Sequence, residues 1–201
     1  GYDTDFWGTL DVSKFTTVKN GDNLEITGYT GDASKVIIPN IADFEINNLD
    51  QGAKQVTISS QVMYDLSQNA TRIGLSKTNN QKVVASDADW SIAFRGYINE
   101  LNLMDLHNLD TTNITNMSSM FDGTIITNMG LMFDGNLKVV GDLSQWNTAN
   151  VTNMSSMFKG ASGLTNIGNL SKWNVSNVTN MGGMFIGASG LTDIGDLSQW
   201  N

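Results

Sequence analysis

The 201-residue chain holds a single histidine, His107, and no cysteine. Thiol nucleophiles, disulfide frameworks and cysteine–zinc sites are therefore excluded. Any serine–histidine–aspartate relay would need His107 as its base, yet no nucleophile motif surrounds it. The phrase Asp105-Leu106-His107 returns as Asp142-Leu143-Ser144, Asn169-Leu170-Ser171 and Asp196-Leu197-Ser198. His107 thus holds a position that serine fills elsewhere, which points to an exposed polar side chain on a repeated surface. The acidic positions ahead of the leucines form their own column. Like charges stacked across neighbouring strands repel, so these groups either share a cation, splay into water or accept hydrogen bonds from loop amides. We take Asp105, His107, Asp142, Ser144, Asn169, Ser171, Asp196 and Ser198 as candidate ligand-binding residues on an exposed strand face. No catalytic residue, resident metal or cofactor is assigned.

Other chemistries find little support. Twenty acidic residues allow many carboxylate pairs, but no spacing singles one out for glycoside hydrolysis. Neither GxGxxG nor GxxxxGK[ST] occurs, and the acids of Asp-Ala-Ser-Lys-Val and Asp-Ala-Asp-Trp are too sparse for an EF-hand loop. The formal charge is −9 and the 11 basic residues are scattered. A nucleic-acid partner is excluded on that ground, because counterion release needs rows of Lys and Arg. No run of 18 apolar residues offers a membrane span.

The elements that carry the candidate column repeat. Trp146, Trp173 and Trp200 stand 27 residues apart, as do Met154 and Met181, and Phe158 and Phe185. Asp89-Trp90-Ser-Ile-Ala-Phe94 is in register with Asn116-Met117-Ser-Ser-Met-Phe121. The step from Met117 to Met154 is 37, because Gly123–Gly135 repeats the Met-rich phrase without a strand phrase; the reading is one enlarged unit near 117–154 whose insertion carries a second short helix or loop, the alternative being two units, one of them missing its strand. Periods of this length predict a solenoid whose units bury their apolar faces only against their neighbours.

Each unit reads in two parts. Met154, Met157 and Phe158, at i, i+3 and i+4, predict a short helix with Asn153 as N-cap and Gly160 at C′. The stretch that follows, with Leu164, Ile167, Leu170, Trp173 and Val178, predicts short strands paired in parallel with those of adjacent units. Leu106, Leu143, Leu170 and Leu197 then form one column. Phe, Met and Trp rows fill the core, and the Asn columns 113/150/177 and 116/153/180 satisfy backbone groups at bends. Residues 1–85 carry β-rich stretches at Leu24–Tyr29, Lys35–Asn40, Gln55–Ser60, Arg72–Ser76 and Lys82–Ser86. They are expected to cap the repeats of 86–201, in the manner of degenerate units. The predicted class is thus α/β, a right-handed leucine-rich-repeat-like solenoid with a β-rich N-terminal cap.

The phrase Asp142-Leu-Ser-Gln-Trp146-Asn through Asn177-Val-Thr-Asn-Met181 resembles the BspA-like leucine-rich repeats of bacterial surface proteins, including those of lactic-acid bacteria. The resemblance is strong from Trp90 to Asn201. It implies an extracellular, wall-anchored adhesin, binding host mucin, glycoprotein, matrix protein or other cells. A structural stalk that displays another domain is the alternative reading, and an enzyme is not expected. Both ends, Gly1-Tyr-Asp and Leu197-Ser-Gln-Trp-Asn, look like cuts in a longer protein. A monomer is expected, with end-to-end contacts through residues 185–201 at high concentration.

Overall fold

The computed structural model describes residues 2–94, 103–122 and 140–201. Its architecture is an α/β repeat of short strands and short helices. Every β-rich stretch expected before position 86 contains a strand: β2 (Asn23–Tyr29), β3 (Lys35–Ile38), β4 (Gln55–Ile58), β5 (Arg72–Leu75) and β6 (Val83–Ala85). β1 (Phe15–Asn20) precedes them, and β7 (Leu103–Asp105) and β8 (Leu109–Asp110) follow. The helices are α1 (Thr4–Trp7), α2 (Ile41–Ile46) and α3 (Ser60–Ser67). Pro39 ends β3, and Asn40 opens α2 with a reciprocal capping box to Asp43.

The strands form two sheets, ordered β1-β2-β4-β6-β8 and β3-β5-β7. All pairs are parallel except β1–β2, a hairpin closed at Asn20↔Asn23, with Gly21 at φ 60° in the turn. Only glycine adopts that left-handed conformation without cost. β1 lies along the outer edge of β2. The sheets continue past position 86: β6 pairs with β8, and the repeats carry the parallel pairing on as single bridges, Asp89↔Asn116, Asn116↔Asn153 and Asn153↔Asn180. One continuous apolar core runs from Val12 to Met184.

The stacked rows account for the repeated phrase. Phe94, Phe121, Phe158 and Phe185 stack with centroids 5.3–5.6 Å apart and ring planes within 12°. Trp146, Trp173 and Trp200 stack at 6.4 and 6.3 Å with planes 2° apart. Each indole N–H also donates to a leucine carbonyl of the preceding unit: Trp146 to Leu106, Trp173 to Leu143 and Trp200 to Leu170. A buried indole needs such a partner, which explains why this position is tryptophan and not another aromatic.

Two expectations are corrected. Residues 154–160 form turns, not a helix. Asn153 accepts from the Ser155 amide two residues on, and the Met157 amide donates to Met154, a three-residue step. Ser156 has φ 55° and Gly160 φ 69°, so helical continuation is blocked. Leu143, Leu170 and Leu197 do not lie in strands either. One backbone–backbone bond joins each pair of adjacent units here, Leu143 N–H to Ile167 and Leu170 N–H to Ile194, too few for a ladder. The column itself stands, since these bonds place successive leucine segments in adjacent units. The extra loop or helix expected in Gly123–Gly135 lies outside the described residues.

Candidate functional site

Three bends in each unit share one construction. An Asx side chain accepts from the amide two residues on, while the next residue's carbonyl accepts from the amide three further. Asp142, Leu143 and Trp146 build one such bend, Asn147, Thr148 and Val151 the next, and Asn153, Met154 and Met157 the third. The two residues flanking the turn point inward, and the intervening pair faces out. The sequence signature is Asx-Φ-x-x-Φ, Φ standing for a side chain turned to the core.

The candidate column consists of one set of these bends. Asp105, Asp142, Asn169 and Asp196 accept from the amides of His107, Ser144, Ser171 and Ser198 at 3.2, 2.9, 2.9 and 2.9 Å. Acceptance from loop amides is therefore what the acids do. Their partners sit in turns instead of on a strand face, which corrects the expected setting of His107 and the serines. Among the described residues no group of three or more His, Cys, Asp or Glu side chains could hold a metal ion.

Glycines space the column. Gly141, Gly168 and Gly195 have φ of 84°, 87° and 91°. A Cβ on Gly141 would lie 2.6 Å from Asp105 Oδ1, and one on Gly168 or Gly195 would overlap the Oδ1 of Asp142 or Asn169. The bare backbone of one unit thus rests against the Asx side chain of the unit before. That contact explains the Gly-[Asp/Asn]-Leu phrase.

Burial pushes the Asp142 carboxyl up, but the Ser144 amide and hydroxyl and the nearby His107 outweigh it and hold Asp142 below the usual carboxylate range. Hydrogen bonds from Ser198 lower Asp196 in the same way. His107 is half-buried, and its Nδ1 lies 2.8 Å from the Asp142 carbonyl of the next unit. It ties two units together, which overturns its reading as a freely exposed side chain.

At its upper end the column is covered. Lys77 pairs with Asp105 at 2.6 Å, and the Tyr2 hydroxyl reaches both Asp105 Oδ2 (3.1 Å) and the Leu75 carbonyl (2.8 Å). Burial, then the charge of Asp105, raises the Tyr2 phenol well above its ordinary value. Gly74 leaves the space into which the Tyr2 ring fits. Sequence reasoning missed this cluster, since its members lie up to 103 residues apart. Further along, Asn166, Asn169, Gly168, Thr165, Thr192 and Asp193 line an open recess of about 230 Å³. The column therefore splits into a covered upper part at Asp105 and an open lower part around Asn169.

No curated protein matches the chain. Among solved structures it is similar to one described as "Crystal structure of T. pallidum Leucine Rich Repeat protein (TpLRR)", at 13% identity and a TM-score of 0.30, over 92% of this chain and 91% of that one. A family match covers residues 88–126 and 122–201, which together make up more than half of the sequence. On that match, the chain belongs to the family described as Mycoplasma protein of unknown function, DUF285.

Proposed function

We propose that the chain is a binding module of a bacterial cell-surface adhesin. In this reading its units wind as a right-handed leucine-rich-repeat-like solenoid of the BspA type, and residues 1–85 cap the repeats of 86–201. The ligand is a host mucin, glycoprotein or matrix protein, met outside the cell by a wall-anchored protein. The contact edge is the column below the covered Asp105: His107, Asp142, Ser144, Asn169, Ser171, Asp196 and Ser198. One observation carries the reading: the column repeats the same polar bend unit after unit, and an open polar recess adjoins it at Asn169. Repeated identical contacts suit a polymer that offers many weak sites in a row.

The test is a plate assay of the chain against immobilised mucin, fibronectin and collagen. Saturable binding that weakens in Asp142→Ala and Asn169→Ala variants of unchanged fold supports the proposal. Binding untouched by both changes would move the contact to another face. No binding to any of the surfaces would favour a stalk that displays another domain.

A further inference from the structure

The segment of residues 2–8 lies across the outer face of the β3-β5-β7 sheet. On that face Lys35 and Arg72 are register partners, as are Gly74 and Asp105. Gly74↔Asp105 is the last β5–β7 pair, so β7 offers nothing to the backbone of the buried Leu75. The Tyr2 hydroxyl fills that gap: it accepts from the Leu75 amide at 3.2 Å and donates to the Leu75 carbonyl at 2.8 Å. Its ring enters a slot floored by Gly74, where a Cβ would lie 2.9 Å from Tyr2 Cζ. A buried backbone pair needs partners, and a phenol supplies both in one atom. Phenylalanine in the slot would supply neither.

The rest of the segment fits the face less well. Phe6 lies over Arg72, with the guanidinium carbon 4.1 Å from the ring centroid, and Lys35 Nζ donates to the Asp5 carbonyl at 3.0 Å. Neither cation meets a carboxylate among the described residues, where the two ion pairs are Lys54–Asp22 and Lys77–Asp105. Arg72 Nε is shut off from solvent and has no hydrogen-bond partner among those residues. Leaving such a donor unmet is costly. Asp3 does not help, because it accepts from the Asp5 amide and caps its own turn. The seating is also loose. No residue of α1 is buried, and an opening of about 290 Å³ separates Thr4, Gly8 and Leu10 from Ile37, Ser76 and Thr78. A segment with so little burial opens at low cost.

We infer that residues 2–7 are a resident stand-in for a protein ligand, and that this face binds an acidic peptide segment carrying a tyrosine. The phenol of the ligand takes the slot over Gly74, and its carboxylates meet Lys35 and Arg72. Charge sharpens the choice. The chain as a whole, at −9, repels an acidic peptide, so two cations without a carboxylate on one face select where it docks. The incoming carboxylate displaces Phe6 because it gives Arg72 the charge-assisted bond that the ring withholds. This face lies above the column proposed to meet host polymers and does not rest on that reading.

Labelled peptides titrated by fluorescence anisotropy against the full chain provide the test. One peptide repeats residues 2–8, and a second carries the Phe6→Glu change. A chain with Tyr2→Ala and Phe6→Ala frees the face and should bind both peptides about tenfold more tightly than the unchanged chain, in which the resident segment competes. The freed chain should prefer the Phe6→Glu peptide about tenfold, and adding Arg72→Gln should erase that preference. Tyr2→Phe, which keeps the ring and loses only the hydroxyl, should raise affinity in the same direction by a smaller factor. Asp142→Ala should leave both affinities unchanged; a loss there would place the peptide on the column and overturn the proposal. So would a freed chain, folded by circular dichroism, that binds neither peptide or binds the two alike. A concentration-dependent dimer of the unchanged chain, dispersed by either peptide, would give the face to a second copy and overturn it as well.

Discussion

Gly168→Ala probes the contact on which the candidate column depends. Two costs arise at once. The methyl group must occupy a backbone at φ 87°, and holding a non-glycine residue in the left-handed region costs about 1–2 kcal/mol. The same methyl would overlap Asp142 Oδ1, driving the carboxylate away from the Ser144 amide, 2.9 Å distant. Losing that capping bond adds about 1 kcal/mol, by analogy with an N-cap at a solvent-facing site. The total is about 2–3 kcal/mol, a fall of several degrees in melting temperature for a domain of this size.

A double-mutant cycle separates the two costs. Asp142→Ala alone should cost about 1 kcal/mol. The double variant should cost about the same as Gly168→Ala alone, because the capping bond can be lost only once. Thermal and urea unfolding of the four proteins give the coupling, expected at about 1 kcal/mol. Strict additivity would show that Asp142 yields without losing its bond, and a neutral Gly168→Ala would show that neither the left-handed backbone nor the close packing holds.

Ser156→Gly should stabilise the chain by about 0.5 kcal/mol, since glycine relieves the left-handed strain at φ 55° and loses some of the gain to backbone entropy; a helix here would instead be destabilised, so the sign of the change in urea midpoint decides. Phe158→Ala should cost about 3–5 kcal/mol, because the ring is fully buried between Phe121 and Phe185, with calorimetry as the check. Trp173→Phe keeps an aromatic ring in the stack but removes the donor to the Leu143 carbonyl; as that carbonyl still accepts from the Trp146 amide, the loss should be about 1 kcal/mol, read as a shift in urea midpoint. Asp142 is held below its unfolded value, so its contribution is present above about pH 4 and is lost as pH falls through the lowered folded value. Melting temperature followed from pH 6 to pH 2 should show an acid-side decline that Asp142→Asn makes shallower.

Long-range order was legible because the apolar residues recur at a fixed step. Trp146, Trp173 and Trp200 must stack if the units pair in parallel, and they do so with planes 2° apart. The strands before position 86 were legible for a local reason: Val36-Ile-Ile38 and Val83-Val84 are β-branched runs bounded by turn residues. β1 could have been found from Gly21-Asp22, a glycine-first two-residue hairpin loop between Asn20 and Asn23. The covered upper end of the column could not, because Tyr2, Lys77 and Asp105 meet only through the tertiary fold. The misread helix is the most instructive case. Asn-Met-x-x-Met-Phe places its apolar side chains on one side both in a helix and in an Asx-capped turn, so periodicity alone does not choose. Unit length does choose. Asp-Leu-Ser-Gln-Trp, Asn-Thr-Ala-Asn-Val and Asn-Met-Ser-Ser-Met carry the same spacing within a single unit of 27 residues. Three helices with connecting turns cannot fit in that span, whereas three bends can, and three bends are what return the chain to the start of the next unit. The glycine before each Asp-Leu or Asn-Leu phrase then follows, because the backbone that closes one unit must rest directly on the capping side chain of the unit before.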